Sequence, residues 1–349
     1  MKISTNNNLD IWVFNVGRGL SILIKTPQNY CIIYDAGSSE NFSPINFLKS
    51  KHLYDCFKKI ETKSISQFII SHPHLDHISD LTDENSIYIN QNSNLITCQN
   101  DKSSNQSGHS IDFKKINNPE KISDKTINNY KSLYEKRNLP LVSINPDVDG
   151  VNFKMGYYYL TSKQAETLFP KDNQQYTNSL SIVLYLSFND KSILFPGDIT
   201  PEAFQEILDG RCEKRFTDYQ LKTTEKKRKD WATKTSDQPR LGKLLQGHGL
   251  NILVAPHHGL KSGYSDYLFD EILKDKKADL IIISEKLHLS EKDGTLDKRY
   301  QDETTSNGVS VNGEKRLSLS TRYDGHIKIS ISEENYSITT NSAVEELFK

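Results

Sequence analysis

The chain has 349 residues, of which 35% are hydrophobic, so it is long enough for one large domain or two ordinary ones. Its 44 Lys and Arg residues nearly balance its 45 Asp and Glu residues, which gives a formal net charge of −1. Overall charge therefore does not attract a nucleic acid, and binding of a nucleic acid would need a local basic patch. No apolar stretch resembles a signal peptide or a membrane span, and four scattered cysteines form no C-x-x-C pair, which together predict a soluble cytoplasmic protein with reduced thiols.

The N-terminal part of the chain predicts a β-meander over residues 11–34, because short apolar runs alternate there with turn residues. A helix is expected from about Pro44 to Ile60, where apolar residues recur on one face. A buried strand over residues 66–71 follows, and it stops at the histidine-rich segment that begins with His72.

Two polar regions, 83–172 and 210–242, are predicted to be insertions into a single domain that spans residues 1–349, and the second insertion is basic. Between them the sequence predicts a hairpin of two buried strands that turns at residues 189–190, followed by a helix. Strands dominate both halves of the chain and helices lie between them. This order favours an α+β fold in which two sheets pack face to face with helices outside.

The strongest chemical signal is the segment His-Pro-His-Leu-Asp-His, which offers His72, His74, Asp76 and His77 as ligands. Imidazole nitrogen and carboxylate oxygen are the donors that zinc prefers, and manganese and iron also accept them. On an extended turn His72 and His74 point the same way, whereas Asp76 and His77 can reach a second position nearby. The pattern therefore predicts two adjacent metal ions; the alternative is a polar loop in a chain that has ten histidines.

Two further strand ends carry potential ligands. Asp198 follows the apolar run ILFPG, where a carboxylate could bridge two cations or simply cap a helix. His257 and His258 follow the apolar run ILVAP and precede a glycine. Each signal is weak alone, but together with the histidine-rich segment they place ligands at three strand ends that converge on one sheet edge.

These segments give the chain a resemblance to the metallo-β-lactamase superfamily, and within it to the soluble hydrolase domain of ComEC-type DNA-uptake proteins. The resemblance covers about residues 10–82 and 176–331. Its matching stretches are FNVGRGLSILI, IIYDAG, SHPHLDHISDL, NSLSIVLYL, ILFPGD, LVAPHHG, the downstream IIIS, and TRYDGHIKI. It implies a four-layer αββα sandwich and a metal-dependent hydrolase.

The resemblance also implies two divalent ions, zinc or manganese, that activate a water molecule. It assigns the ligands as one set: His72 and His74 to the first ion, Asp76, His77 and His257 to the second, and Asp198 to both. Asp76 would also take part in catalysis. For His258 three roles stay open: contact with substrate, protonation of the leaving group, and support of the turn.

The chain departs from the superfamily pattern at two places. A further histidine usually precedes the strand that leads to the bridging Asp, but residues 177–179 read Thr-Asn-Ser, similar to the Asn-rich pattern of ComEC-type proteins. Asn178 is therefore expected to contact substrate, and one ion to be labile; His109, the only histidine of the first insertion, is not expected to replace the missing ligand. The second departure is in the glycine motif at residues 16–20, which reads Val-Gly-Arg-Gly-Leu and has Leu20 where an acidic residue is usual.

Two features bear on substrate. Lys226 and Arg228 lie in a basic segment near Trp231, which could contact a phosphate backbone while the indole stacks on a base; the alternative is a solvated surface. His288 follows a buried strand and is expected either to contact substrate or to lie on the surface.

The leading hypothesis is a phosphodiesterase, in particular a nuclease, which acts on nucleic acid or a nucleotide with metal-activated water. The first alternative is a small-molecule hydrolase such as a cyclic-nucleotide phosphodiesterase or a lactamase-like enzyme, because the same site serves many substrates. The second is a non-catalytic binding subunit. No membrane partner is expected, and a protein partner or a homo-oligomer stays open.

Overall fold

The structure is a computed structural model that describes residues 7–98, 124–138, 153–171, 173–217, 239–285 and 296–348. Two seven-stranded sheets pack face to face, helices cover both outer faces, and a two-stranded hairpin lies apart. The predicted αββα sandwich is therefore confirmed. Within the described ranges, no helix is long and apolar enough to cross a membrane.

The first sheet is built around the N-terminal meander, whose β1, β2 and β3 are antiparallel as predicted. Next to it β3, β4 and β5 run parallel. In spatial order the sheet contains β16 (Tyr336–Asn341), β15 (His326–Ile331), β1 (Leu9–Val13), β2 (Ser21–Lys25), β3 (Cys31–Ala36), β4 (Ile65–Ile69) and β5 (Ser93–Thr97). The strands β1, β3 and β4 consequently end at the same edge.

The second sheet contains, in spatial order, β14 (Ser318–Ser320), β11 (Leu280–Ile283), β10 (Ile252–Val254), β8 (Lys191–Phe195), β7 (Val183–Phe188), β6 (Phe153–Tyr159) and β9 (Glu213–Thr217). Its strands β8, β10, β11 and β14 are parallel and end at one edge. The predicted hairpin of β7 and β8 turns at Asn189 and Asp190, whose φ angles of 48° and 62° suit a tight two-residue turn. The separate hairpin pairs β12 (Val309–Val311) with β13 (Glu314–Arg316).

Helices connect the strands across the outer faces. The α-helices are α1 (Pro44–Ser50), α2 (Leu75–Ile78), α3 (Asp83–Asn92), α4 (Asp124–Glu135), α5 (Ser162–Leu168), α6 (Gln174–Ser179), α7 (Pro201–Leu208), α8 (Leu241–His248) and α9 (Thr321–Asp324). Short 3₁₀ turns cover Leu53–Cys56, Pro256–Gly259, Lys261–Gly263, Lys298–Gln301 and Val344–Phe348, and one π-helical turn covers Tyr267–Ile272. Apolar side chains of α1, α3 and α4 pack on the first sheet, and those of α5, α7 and α8 pack on the second.

The central core lies between the two sheets. Successive side chains of a strand point to opposite faces, so Leu9, Ile11 and Val13 of β1 meet residues such as Tyr157 and Leu184 of the second sheet. This core fixes the distance between the sheets and thereby the gap at their common edge.

The structure corrects three boundaries drawn from the sequence. The helix expected over 44–60 ends at Ser50, because His52 has a left-handed φ of 53° that interrupts helical backbone. The range 83–172, expected to be an insertion, contains β5 and β6, which belong to the main sheets, and the range 210–242 contains the edge strand β9. These strands were hidden by the polar composition around them.

Candidate metal centre

Three loops meet at the edge of the sandwich where parallel strands of both sheets end. The loop that starts at His72 follows β4, Asp198 follows β8, and the turn with His257 and His258 follows β10. Side chains at the carboxyl ends of parallel strands gather at one edge, which is where such sheets place their ligand sites. The two sheets therefore bring distant parts of the sequence together.

The first group of donor atoms belongs to His72, His74 and Asp198, all of which are buried. His72 Nε2 lies 3.1 Å from His74 Nδ1 and 3.6 Å from Asp198 Oδ2. Burial lowers the pKa of His72 well below its ordinary value and lowers that of His74 to about 4. Both rings are therefore neutral at pH 7 and offer lone pairs to a cation.

The second group consists of Asp76, His77, Asp198 and His258. His77 Nε2 lies 3.1 Å from Asp198 Oδ1, and His258 Nε2 lies 3.2 Å from Asp76 Oδ2. His258 Nε2 is also 3.5 Å from Asp198 Oδ2, the oxygen that faces His72 in the first group. Because Asp198 belongs to both groups, its carboxylate is placed to bridge two cations.

Two carboxylates, the buried Asp198 and the partly buried Asp76, give the second group a negative charge that needs compensation. Burial opposes protonation of His258, but Asp198 and Asp76 raise its pKa to about 9. Burial also opposes protonation of His77, yet Asp198 and Asp35 raise its pKa well above the ordinary value. Against the effect of burial, the imidazoles hold the pKa values of Asp76 and Asp198 below their usual range. The carboxylates thus stay ionised and attract positive charge, whether protons on the imidazoles or a metal ion.

The donor atoms fit divalent metal ions on two counts. His74 Nε2 is buried and has no hydrogen-bond partner in the described part of the chain, although buried polar atoms are normally paired. Imidazoles together with two ionised carboxylates are also the ligands that zinc and manganese accept.

Two imidazoles of the second group are held by hydrogen bonds on their far side. His77 Nδ1 lies 2.7 Å from Asp35 Oδ2, while the N–H and Oγ–H of Ser71 donate to Asp35 at 2.7 and 2.8 Å. His258 Nδ1 lies 3.1 Å from the carbonyl of Ser284. With Nδ1 engaged as a donor, each ring directs Nε2 toward the other ligands.

Asp35 was not identified as a site residue from the sequence. It is fully buried at the end of β3, with a φ of 60° that aspartate tolerates better than most residues. The signal that could have found it was a lone acidic residue at the end of an apolar run, just before Ala36 and Gly37.

The structure brings five of the predicted ligands together: His72, His74, Asp76, His77 and Asp198. The sixth, His257, belongs to neither group; its Nε2 is 3.8 Å from Asp198 Oδ2, and its Nδ1 is 2.9 Å from Ser262 Oγ. His258, for which three roles had been left open, lies in the second group instead.

The backbone of the turn explains why the two histidines lie differently. His257 and His258 have left-handed φ angles of 49° and 56°, and Gly259 follows at 73°. This conformation directs His258 inward, with a side chain 3% exposed, and leaves His257 at the rim, 16% exposed. A buried, doubly anchored His258 is suited to bind a metal rather than to protonate a leaving group.

The predicted substrate contacts are only partly described. Asn178 is buried at the end of α6, and its Oδ1 has no hydrogen-bond partner in the described ranges. It lies near the first group, because Ser181 N donates to its carbonyl at 2.9 Å and Ser181 packs on Gly197 beside Asp198. Four other residues named from the sequence lie outside the described ranges, namely His109, Lys226, Arg228 and His288. Trp231 lies outside them as well.

No protein-family model and no curated protein sequence matches the chain. Among solved structures, the metallo-β-lactamase fold protein YhfI from Bacillus subtilis is similar with a TM-score of 0.37 and 10% identity, over 89% of this chain and 95% of YhfI. A mutant of CmlA β-hydroxylase is similar with a TM-score of 0.33 and 12% identity, over 81% of this chain and 52% of that protein. Structural similarity this low says nothing about the activity of this chain. The fold is assigned from the observed arrangement of the two sheets and the helix layers.

Proposed function

We propose that this protein is a metal-dependent hydrolase of the metallo-β-lactamase superfamily that cleaves phosphodiester bonds, with nucleic acid as its substrate. The observation that carries the proposal is the pair of buried donor groups that share Asp198 at the common edge of the two sheets. A pair of adjacent cation sites suits in-line displacement at phosphorus.

Each residue of the centre has a role that its position supports. His72 and His74 would hold one ion, the side chains of Asp76, His77 and His258 the other, and Asp198 both. With two divalent ions held there, the centre would supply a water molecule of lowered pKa and positive charge opposite the phosphoryl oxygens. Asp76 is the most exposed of these side chains, at 19%, so we assign it to the rim where substrate and water enter.

A nucleic acid, rather than a small molecule, is favoured by an exposed aromatic ring at the same sheet edge. Tyr323 lies in α9, directly after β14, and is 69% exposed. The guanidinium carbon of Arg322 lies 4.6 Å from the centre of its ring. Such a pair offers a base a stacking surface and a phosphate a cation, and stacking of this kind is worth about 1–3 kcal/mol per base.

A small-molecule hydrolase is the second candidate, because four of the donor side chains are at most 3% exposed. Donor groups buried this deeply suit a small substrate or a single strand better than a duplex. The free thiols of all four cysteines are consistent with a reducing cytoplasm, which we propose as the location.

The test is hydrolysis of single- and double-stranded DNA and RNA, with cyclic nucleotides alongside, by purified protein with Mn²⁺ or Zn²⁺. Asp76→Asn and His258→Ala proteins run in parallel. Polymer cleavage that both substitutions abolish is the expected result. Cleavage that survives them contradicts the site, and activity on cyclic nucleotides alone favours the small-molecule enzyme. Failure to bind metal at all would favour a non-catalytic binding subunit.

A further inference from the structure

A positive charge stands directly beside the second donor group. Arg18 Nε lies 3.7 Å from Asp76 Oδ2, and the two side chains are 24% and 19% exposed. From the sequence, only Leu20 of the same glycine motif stood out as a departure, and Arg18 was given no role.

The backbone holds Arg18 at this place. Leu20 N donates to the carbonyl of Asp76 at 3.1 Å, and Ser284 Oγ donates to the carbonyl of Gly19 at 2.6 Å. Gly19 approaches so closely that a β-carbon there would lie 2.4 Å from the Asp76 carbonyl oxygen. The loop between β1 and β2 is thus docked onto the centre from both sides, and the direction in which Arg18 leaves the backbone is fixed.

Arg18 is one of the partly exposed side chains at the centre. The side chains of Arg18, Asp76 and His257 are 24%, 19% and 16% exposed, whereas those of His77 and His258 are at most 3% exposed. A substrate that reaches the donor groups over this rim passes the guanidinium.

The contact between Arg18 and Asp76 is a weak one. The 3.7 Å separation exceeds hydrogen-bond distance, and ion pairs this exposed contribute little to folding. A fixed positive charge next to a metal ligand also opposes binding of a cation there, since like charges repel. The arrangement becomes favourable when an anion enters and lies against both the guanidinium and the cations.

We propose that Arg18 is a substrate-binding residue that pairs with a nonbridging oxygen of an anionic phosphodiester at the centre. A guanidinium presents several N–H donors in a planar fork that matches two oxygens of a phosphate group. This inference rests on the proposed function, and it defines the substrate class as phosphate esters rather than neutral esters or amides.

The experiment compares wild-type protein with Arg18→Gln, Arg18→Lys and Arg211→Gln. Arg211 is the matched control, an exposed arginine paired with Glu206 at 2.7 Å after α7. Binding of inorganic phosphate to Mn²⁺-loaded protein is measured by calorimetry, and bound metal by mass spectrometry. We expect Arg18→Gln to bind phosphate about 10- to 100-fold more weakly, with metal binding unchanged or tighter, Arg18→Lys to lie between, and Arg211→Gln to match wild type.

Three outcomes overturn the proposal: equal phosphate binding by wild type and Arg18→Gln, no phosphate binding by wild type, or loss of metal from Arg18→Gln. The last would make Arg18 a positioning residue for Asp76. Phosphate binding needs no turnover, so it judges Arg18 even if the protein hydrolyses no phosphodiester. Conversely, phosphodiesterase activity with unchanged KM in Arg18→Gln would refute the role of Arg18 and leave the proposed function standing.

Discussion

Asp35→Asn changes a single atom of the group that supports the metal centre. Asp35 accepts from Ser71 N at Oδ1, and from Ser71 Oγ and His77 Nδ1 at Oδ2. An asparagine has one acceptor oxygen, so its NH₂ group must face either Ser71 N–H or His77 Nδ1. In the first case two donors oppose each other in a buried site. In the second His77 must carry its proton on Nε2, the atom that faces the other ligands.

Either arrangement has a measurable effect. A buried donor without a partner costs about 1–3 kcal/mol of stability. Loss of an outer hydrogen bond to a metal-binding histidine lowers metal affinity about 10- to 100-fold. We therefore expect Asp35→Asn to lower the free energy of unfolding of the metal-free protein, the affinity for Mn²⁺ or Zn²⁺, or both.

The assay is urea unfolding in the presence of a chelator, together with metal titration against a chromogenic competitor. Asp10→Asn is the control, because Asp10 is an equally buried acid that pairs with Lys25 at 3.0 Å near the start of β1, away from the centre. It should lose stability but keep its metal affinity. If Asp35→Asn matches wild type in both unfolding and metal affinity, the supporting role of Asp35 is refuted.

Four further predictions address the turn, the loop, pH and the exposed ring. His258→Ala is expected to lower bound metal from two ions to about one, whereas His257→Ala keeps both, measured by metal analysis. Gly19→Ala should lower the free energy of unfolding by about 1–3 kcal/mol, because the added methyl group overlaps a backbone carbonyl. Burial lowers the pKa of His326 to about 4, so on acidification the unfolded chain binds a proton before the folded protein does. The stability that the neutral ring confers is therefore lost as pH falls from about 6.5 toward 4, and urea unfolding at several pH values in this range should show the loss. Tyr323→Ala should weaken binding of a single-stranded oligonucleotide at least about fivefold, measured by fluorescence anisotropy.

Each of these predictions has a control or a contrary result. Loss of an ion from the His257 variant alone would restore the ligand set expected from the sequence. Wild-type stability of the Gly19 variant would contradict the docked loop, and an unchanged pH slope in His326→Gln would exclude that ring as its source. Ile87→Ala removes another exposed apolar side chain, 56% exposed, and should leave oligonucleotide binding unaltered.

Local patterns were enough to predict the strands that contain uninterrupted apolar runs. The meander of β1 to β3 and the hairpin of β7 and β8 depend on such runs and on turn residues between them. By contrast, β5 has the mixed sequence SNLIT, and it is a strand because it pairs with β4. Helix α1 ends early because of the backbone conformation of one residue, His52, which composition does not specify.

The same limit applies to the centre. His72, His74, Asp76 and His77 stand close together in the sequence and were found there, but the choice between His257 and His258 depends on three successive left-handed backbone conformations. Arg18 and Asp35 come into reach of the centre only because β1, β2, β3 and β4 pair side by side in one sheet. Contacts between distant segments carry no local signal.

The central claim is that two cations bind on either side of Asp198. Crystals grown with Mn²⁺ and examined by anomalous diffraction test it most directly. Two anomalous peaks are predicted, one beside His72 and His74 and one beside His77 and His258, with the Asp198 carboxylate between them. An absence of peaks at this edge of the sandwich, or peaks that avoid Asp198, would contradict the claim.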